Sequence, residues 1–411
     1  MGIIGIIKLW GSEMKHWILS AFLGLFLFEA FSVLPTRSVN PPSTEAPHFI
    51  SGLINVPPNV TAEAHNIPQL ALLAKENGHS FAVFADHDSV EGRRLGLEKN
   101  YDGFDAFIEV ESSTPSGDLL VFFSHTPLES ASPKELSKAA YERFQGNPIT
   151  PELFVSVSHP SHNKRPWTQL DRFPDGIELI NFDSLFWRKL ISNPLDFLGL
   201  SLLYPLNPFI TALRVIEPYP KDIANWDNMN SLEPRHFGIL SSQFNLKVHW
   251  PRLNISWPNY RELFRLGSNI VFPREPLSTE FKTRKKQIYR WIKEGRLAIA
   301  FQAIHPFLGN DFYLKCPNGI FRSGEVFHGD TSACEFIVKT PANLPYATKI
   351  RLLKNGELEK EIFSSDSEIH IPVVGVGQFR IETLVRPHSF FWILLRKWIP
   401  YVFYNPIFIS A

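Results

Sequence analysis

Cysteine is nearly absent, with two residues, Cys316 and Cys334, among 411. That scarcity excludes a disulfide scaffold and a Cys-rich zinc module. An excess of one charge is also missing. Lys plus Arg number 41 and Asp plus Glu number 41, a formal net charge of zero. A general nucleic-acid surface needs a basic excess, so none is expected here, and an acidic tail is excluded by the same balance. There is no Gly-rich phosphate loop, because the 23 glycines are scattered. There is no Gly-x-Ser-x-Gly elbow of a serine hydrolase and no repeat of solenoid length. What is present is apolar. Hydrophobic residues make up 44% and charged residues 20%, enough to bury a large core and too apolar for disorder. The 35 Phe and 33 Pro suit a loop-rich α/β or β protein better than a helical bundle. The length suits two or three domains, or one large barrel with a smaller module.

The N-terminus reads as an address. From Met14, the better start, Lys15-His16 precedes an uncharged stretch from Trp17 to Phe28. Glu29 follows, and Ala30 and Ser32 place small residues at −3 and −1 of a signal-peptide cut. The competing reading is an uncleaved anchor from Trp17 to Leu34, barely long enough to span a bilayer and with Glu29 costly near one end. Residues 1–34 are therefore expected to be a signal peptide or membrane anchor, and Pro-, Ser- and Thr-bearing residues 35–48 a linker. Export to the periplasm or cell envelope follows, with membrane association through this segment. In an oxidising compartment Cys316 and Cys334 are either a disulfide or two buried thiols, since only the Cα separation decides.

From residue 49 to 294 short apolar runs alternate with helical patterns. The runs are Phe81–Ala85, Ala106–Glu111, Leu119–Phe123, Phe154–Val157, Gly176–Ile180 and Phe237–Leu240. Helical stretches fall at Ile67–Lys75, Pro133–Phe144 and Tyr260–Arg265. This alternation predicts parallel strands with crossover helices. Ionisable residues end several strands: Asp86-His87, Glu111 and His159. In a β/α barrel that edge carries the chemistry. Phe197–Leu213 is free of charge, but Pro205, Asn207 and Pro208 interrupt it, so buried helices or a hydrophobic lid are expected rather than a membrane span. From residue 295 to 411 short alternating runs with turn signals at Pro317-Asn-Gly319 and Asn355-Gly356 predict an antiparallel β-sandwich. The aromatic tail Phe390–Trp398, with Arg396 and Lys397, either packs on that sandwich or touches a membrane surface.

The strongest local signal is Phe81-Ala-Val-Phe-Ala-Asp-His-Asp-Ser-Val-Glu-Gly92. An apolar strand delivering Asp86, His87 and Asp88 to its end is a metal-ligand arrangement, since imidazole suits zinc or iron and carboxylate manganese or magnesium. Glu109-Val-Glu111 follows, then Val155-Ser-Val-Ser-His159-Pro160, then Asp175-Gly-Ile-Glu178-Leu-Ile-Asn181. Taken in order, these segments resemble the PHP (polymerase and histidinol phosphatase) superfamily. The resemblance covers roughly residues 49 to 300 and continues into the C-terminal segments Leu352–Gly356, Gly377–Glu382 and Trp398–Ile407. It implies a distorted (β/α)7 barrel and a metal-dependent phosphoesterase using zinc, manganese or iron on a small phosphoester substrate. His87 and its neighbour Asp86 match a metal-binding motif, Glu111 the carboxylate that bridges two metals, and His159 the histidine of the His-Pro motif.

Other positions depart from that pattern. The family's opening His-x-His corresponds here to Asn55 and Pro57. Its closing Asp-x-His corresponds to Gln243 and Asn245. Amides are poor ligands for a divalent ion, though they still hydrogen-bond, and Pro57 offers no side-chain ligand. Catalytic zinc commonly takes three protein ligands, and two-metal phosphoryl chemistry needs both ions. Asp88, Glu109, Asp118, His125 and His162 are nearby substitutes, while His249 is out of register. Two readings follow. One is a non-catalytic binding or structural module of the cell envelope, with fewer ions or none and an amide network in the former metal cavity. The other is a working phosphoesterase with His87, Glu111 and His159 holding metal and Asp86 beside them.

Overall fold

The computed structural model describes residues 49–410 apart from 59–65, 124–134, 136–137, 139–140, 143–152, 162–165, 169–173, 205–207, 233–234, 244–246, 251–252, 257–258 and 387–397, and before residue 49 only 20 and 24. But for those two residues, the expected leader (1–34) and linker (35–48) lie outside the described residues. So do most of the expected helix 133–144 and most of the aromatic tail.

The chain begins with β1 (Ile50–Val56), α1 (Asn66–Glu76), β2 (Phe81–His87), α2 (Glu91–Arg94), β3 (Lys99–Tyr101), β4 (Phe104–Thr114), β5 (Gly117–Phe123) and β6 (Leu153–Ser158). It continues with β7 (Gly176–Asn181), α3 (Phe182–Ser192), α4 (Pro194–Leu203), α5 (Pro208–Val215), α6 (Pro220–Leu232) and β8 (Phe237–Ser241). Seven of these strands close into a barrel in the order β1-β2-β4-β5-β6-β7-β8, and Ile54 opposite Ser241 completes the ring. The apolar runs are continuous because both faces are covered. Val83, Phe107, Leu120, Phe122, Phe154 and Ile239 fill the inside. Phe84, Ile108, Val121 and Val155 face the surrounding elements. Position 52 lacks a side chain because a Cβ there would stand 2.2 Å from the Phe81 ring.

The strands are not all parallel, which corrects the expectation of crossover helices throughout. β5 runs antiparallel to both β4 and β6. The reason lies in Pro115-Ser116, the whole connection between β4 and β5. A parallel crossover needs about a dozen residues, so the chain reverses, with Gly117 at a φ of +132°. The reversal puts the start of β5, and with it Asp118, at the same mouth as the end of β4.

The next elements are β9 (Lys247–Trp250), β10 (Leu253–Ser256), α7 (Tyr260–Leu266), β11 (Ser268–Val271), α8 (Phe281–Lys293) and β12 (Leu297–Ala300). Helix α8 closes the end of the barrel opposite the mouth, burying Ile288, Tyr289, Trp291 and Ile292 among its interior rings. Then come β13 (Asp311–Cys316), β14 (Gly319–Arg322), β15 (Val326–His328), β16 (Glu335–Lys339), β17 (Ala347–Lys354), β18 (Glu357–Ser364), β19 (Glu368–Pro372), β20 (Gly377–Arg386), β21 (Ile399–Tyr404) and β22 (Ile407–Ser410).

The expected boundary at residue 295 is not a break in hydrogen bonding. The barrel sheet continues from β1 through β11, β12 and β21 to β20 and β22. A separate antiparallel sheet holds β14, β13, β16 and β19, and its Phe336 ring lies 5.0 Å from Phe379 of the long sheet. The Asn355-Gly356 turn forms as expected, with φ of 52° and 84° joining β17 to β18, the pattern of a tight two-residue hairpin. Cys316 and Cys334 are joined by a disulfide. Arg380 of β20 grips Asp227 of α6 through two contacts of 2.7 Å, locking the C-terminal strands onto the barrel. The charge-free stretch forms the two short helices α4 and α5. Among the described residues no helix is long and apolar enough to cross a membrane.

One seam in the barrel wall needs charge to seal it. β4 pairs with β3 only as far as Ala106 and with β5 only from Val110. Between them the Ile108 amide donates to Glu98 at 2.8 Å, and Arg93 donates to the Ile108 carbonyl. Glu109 accepts from the Phe123 amide at 3.1 Å and the Tyr289 hydroxyl at 2.7 Å. Lys285 lies 2.8 Å from Glu109 and 2.9 Å from Glu98. Glu109 is thereby committed to the wall and is no substitute ligand. Removing one member of such a buried set leaves an uncompensated charge, at about 3–5 kcal/mol. Lys285→Met is expected to lose that much in urea denaturation. Lys75→Met, which breaks the exposed 2.6 Å pair with Asp102, is expected to lose less than about 1 kcal/mol.

Candidate functional site

The barrel mouth gathers charged and amide side chains that the strand ends aim inward. In β2 the interior face carries Val83 and Ala85, so His87 points in and Asp86 points out by strand alternation. In β4 the same face runs Phe107, Glu109, Glu111. A bulge re-aims Asn55. Between Ile54 and Val56 the register of β1 against β2 slips by one, and Asn55 takes a φ of +56°, the usual way a bulge redirects one side chain. His159, just past β6, has a φ of +48°. Backbone strain of this kind concentrates at sites where the side chain's position matters.

Glu111 is the hub. Its Oε1 lies 2.7 Å from His159 Nε2, and its Oε2 lies 3.3 Å from His87 Nε2. Gln243 Nε2 donates to Oε2 at 3.0 Å. A second carboxylate, Glu178, lies behind His159. It is 3.6 Å from His159 Nδ1 and accepts from the His159 amide at 3.0 Å. Asn55 and Asn181 donate to it at 2.8 and 3.0 Å. Asn55 also donates to Gln243 Oε1 at 3.4 Å, closing the network. Asn181 caps α3, its side chain accepting from the Ser184 amide.

The electrostatics follow from burial and proximity. Burial alone would lower the His159 pKa, but the Glu111 carboxylate, helped by Glu178 and Asp118, outweighs it and pushes it up to about 10. Burial pushes Glu111 up, and the imidazolium of His159 with His87 overcomes that, leaving Glu111 at about 2. Glu178 moves the other way, because burial and the Glu111 charge disfavour a second anion. The mouth thus holds an internal ion pair beside a carboxyl group biased toward its neutral form.

Of the residues singled out in sequence, His87, Glu111, His159, Asn55 and Gln243 meet here. Asp86 does not. Its Oδ1 accepts from the His87 amide, and its side chain leaves on the other face of β2, which corrects its placement beside the metal. Pro57 contributes its carbonyl, which accepts from the Tyr260 hydroxyl at 2.6 Å. Asp88 ties β2 to β4, accepting from the Ser113 amide at 3.0 Å. Asn245, His125 and His162 lie outside the described residues, as does the side chain of His249. Glu178 and Asn181 stood in the quoted motifs without a role. Three apart on β7, they fall on opposite faces by strand alternation, and only the register shift between Glu178 and Ile180 brings them together.

This donor set does not fit a divalent ion. An amide N–H of Gln243 points at the Glu111 oxygen that an ion beside His87 would use, and one of Asn55 points at Glu178. Compared with models of known families and with curated proteins, the chain matches none.

The His159–Glu111 pair makes stability depend on pH. A histidine raised from 6.5 to about 10 contributes fully below pH 6.5 and loses that contribution as pH rises toward 10. A glutamate lowered from 4.5 to about 2 contributes fully above pH 4.5 and loses it toward pH 2. Urea titrations are therefore expected to show the pair's contribution greatest between pH 4.5 and 6.5. The stability gap between wild type and His159→Gln is expected to narrow from pH 6.5 to 10, and a gap constant over that range would contradict the assignment.

Proposed function

We propose that this chain is an exported cell-envelope protein whose PHP-like barrel, followed by a β-sandwich, serves as a non-catalytic binding or structural module. The observation that carries this reading is the refilled mouth. Where the resemblance implies His-x-His and Asp-x-His ligands, Asn55 and Gln243 spend their amide hydrogens on Glu178 and Glu111. The imidazolium of His159 then supplies the positive charge that a metal would bring. An amide network with its own ion pair needs no bound cation to offset clustered carboxylates. The apolar N-terminal segment supports the location, as signal peptide or anchor.

A second reading draws on one observation. His87 and His159 approach different oxygens of Glu111, the arrangement of a carboxylate between two ions. On that reading the protein is a metal-dependent phosphoesterase with His87, Glu111 and His159 as its ligands.

Metal content and turnover separate the two. The purified chain is expected to carry no stoichiometric Zn, Mn or Fe and to leave a generic phosphodiester intact with Mn²⁺ added. Stoichiometric metal with turnover that His87→Ala abolishes would establish the enzyme instead.

A further inference from the structure

Beside His159, and sharing Glu178 and Asn181 with the amide network, lies a small pocket between the His-Pro loop, the start of α3 and the segment that leads into α6. Its walls carry a buried acid and a base that do not pair with each other. Asp222 is 6% exposed, and its Oδ1 accepts from the Ser161 hydroxyl at 2.5 Å. Arg188 stacks over the Tyr219 ring at 4.8 Å and donates through Nη2 to the Glu217 carbonyl at 2.5 Å. Among the described residues Asp222 has no ion-pair partner, and neither has Arg188. Among the described residues the buried Ser184 hydroxyl, also on the wall, has no hydrogen-bond partner. Buried polar groups are ordinarily satisfied. A carboxylate with acceptor capacity to spare, facing a guanidinium with donor capacity to spare, marks a site built for something that bridges them.

We infer that this pocket receives one hydroxyl group of a small neutral polyol or sugar. The occupant must donate to Asp222 and accept from Arg188, and a hydroxyl does both. A carboxylate only accepts, and a phosphate, though its protonated oxygen can donate, would like the carboxylate set its charge against Asp222. An ammonium only donates, and would face Arg188. Size points the same way. The enclosed space is about 20 Å³, room for one hydroxyl-sized group, so the rest of the ligand extends toward solvent. Barrel mouths are common binding places. The inference rests on the reading of the barrel as a binding module and names its ligand class.

The test uses the full chain, with D-glucose and D-mannitol as probes and potassium phosphate and sodium acetate as controls, titrated by calorimetry or amide NMR. Saturable millimolar binding of a hydroxylated probe is expected, weakened about tenfold or more by Asp222→Ala and by Arg188→Met and unchanged by the surface substitution Lys75→Met. Circular dichroism establishes that each variant folds, and Arg188→Met decides the matter if Asp222→Ala does not. No saturable binding of either probe, binding indifferent to the Arg188 substitution, or binding of the anions alone would overturn the inference, the pocket then holding water or an ion. Metal content measured on the same sample keeps the outcomes apart. A metal-free, inert chain that binds no polyol overturns the ligand and leaves the module reading standing.

Discussion

The contact between His159 and Glu111 is the constraint on which the barrel mouth depends. Two carboxylates, Glu111 and Glu178, are sunk where water does not reach, and buried charge is tolerated only when paired and hydrogen-bonded. One proton on His159 meets most of that demand. The remaining capacity is taken up by three amides, Asn55, Gln243 and Asn181, each supplied by a different strand end. Because most partners come from different strands, the network also pins the ends of β1, β4, β6, β7 and β8 around one point. A neutral His159 could still donate one N–H to Glu111 but would leave the buried carboxylate without its cation, and the mouth would then favour an ion.

The far end of the barrel solves a similar problem in a different way. There the wall opens between Ala106 and Val110, and Arg93, Lys285, Glu98 and Glu109 close it, with Tyr289 of α8 reaching in from below. Glu109 and Glu111 share one face of β4 yet belong to separate charge systems, one sealing the wall and one organising the mouth. The wall sets two cations against two carboxylates, and the mouth sets the His159 imidazolium against Glu111.

Much of this was legible in the sequence. The apolar runs marked the barrel strands because both their faces are covered. His87, Glu111 and His159 stood at strand ends, and Asn55 and Gln243 stood where ligands were expected. Other features needed three dimensions. The reversal at β5 was written in Pro115-Ser116, but the surrounding alternation of strand and helix outweighed so short a signal. Asp86 and His87 looked alike as neighbours until strand alternation put them on opposite faces. Asn55 faces inward only because β1 bulges there, which no periodicity reveals. Glu178 was hidden because its part depends on His159 arriving from another strand. The continuity of the sheet across residue 295 rests on β12 pairing with both β11 and β21, a long-range match that local pattern does not encode.

The claim that a proton, rather than a metal, organises the mouth is tested most directly by the ring nitrogens of His159. In ¹⁵N-labelled protein at pH 8, both are expected to show the shifts of an imidazolium, unchanged by added Zn²⁺ or by EDTA. A neutral His159 ring whose nitrogen shifts move on adding Zn²⁺ and return with EDTA would contradict the account.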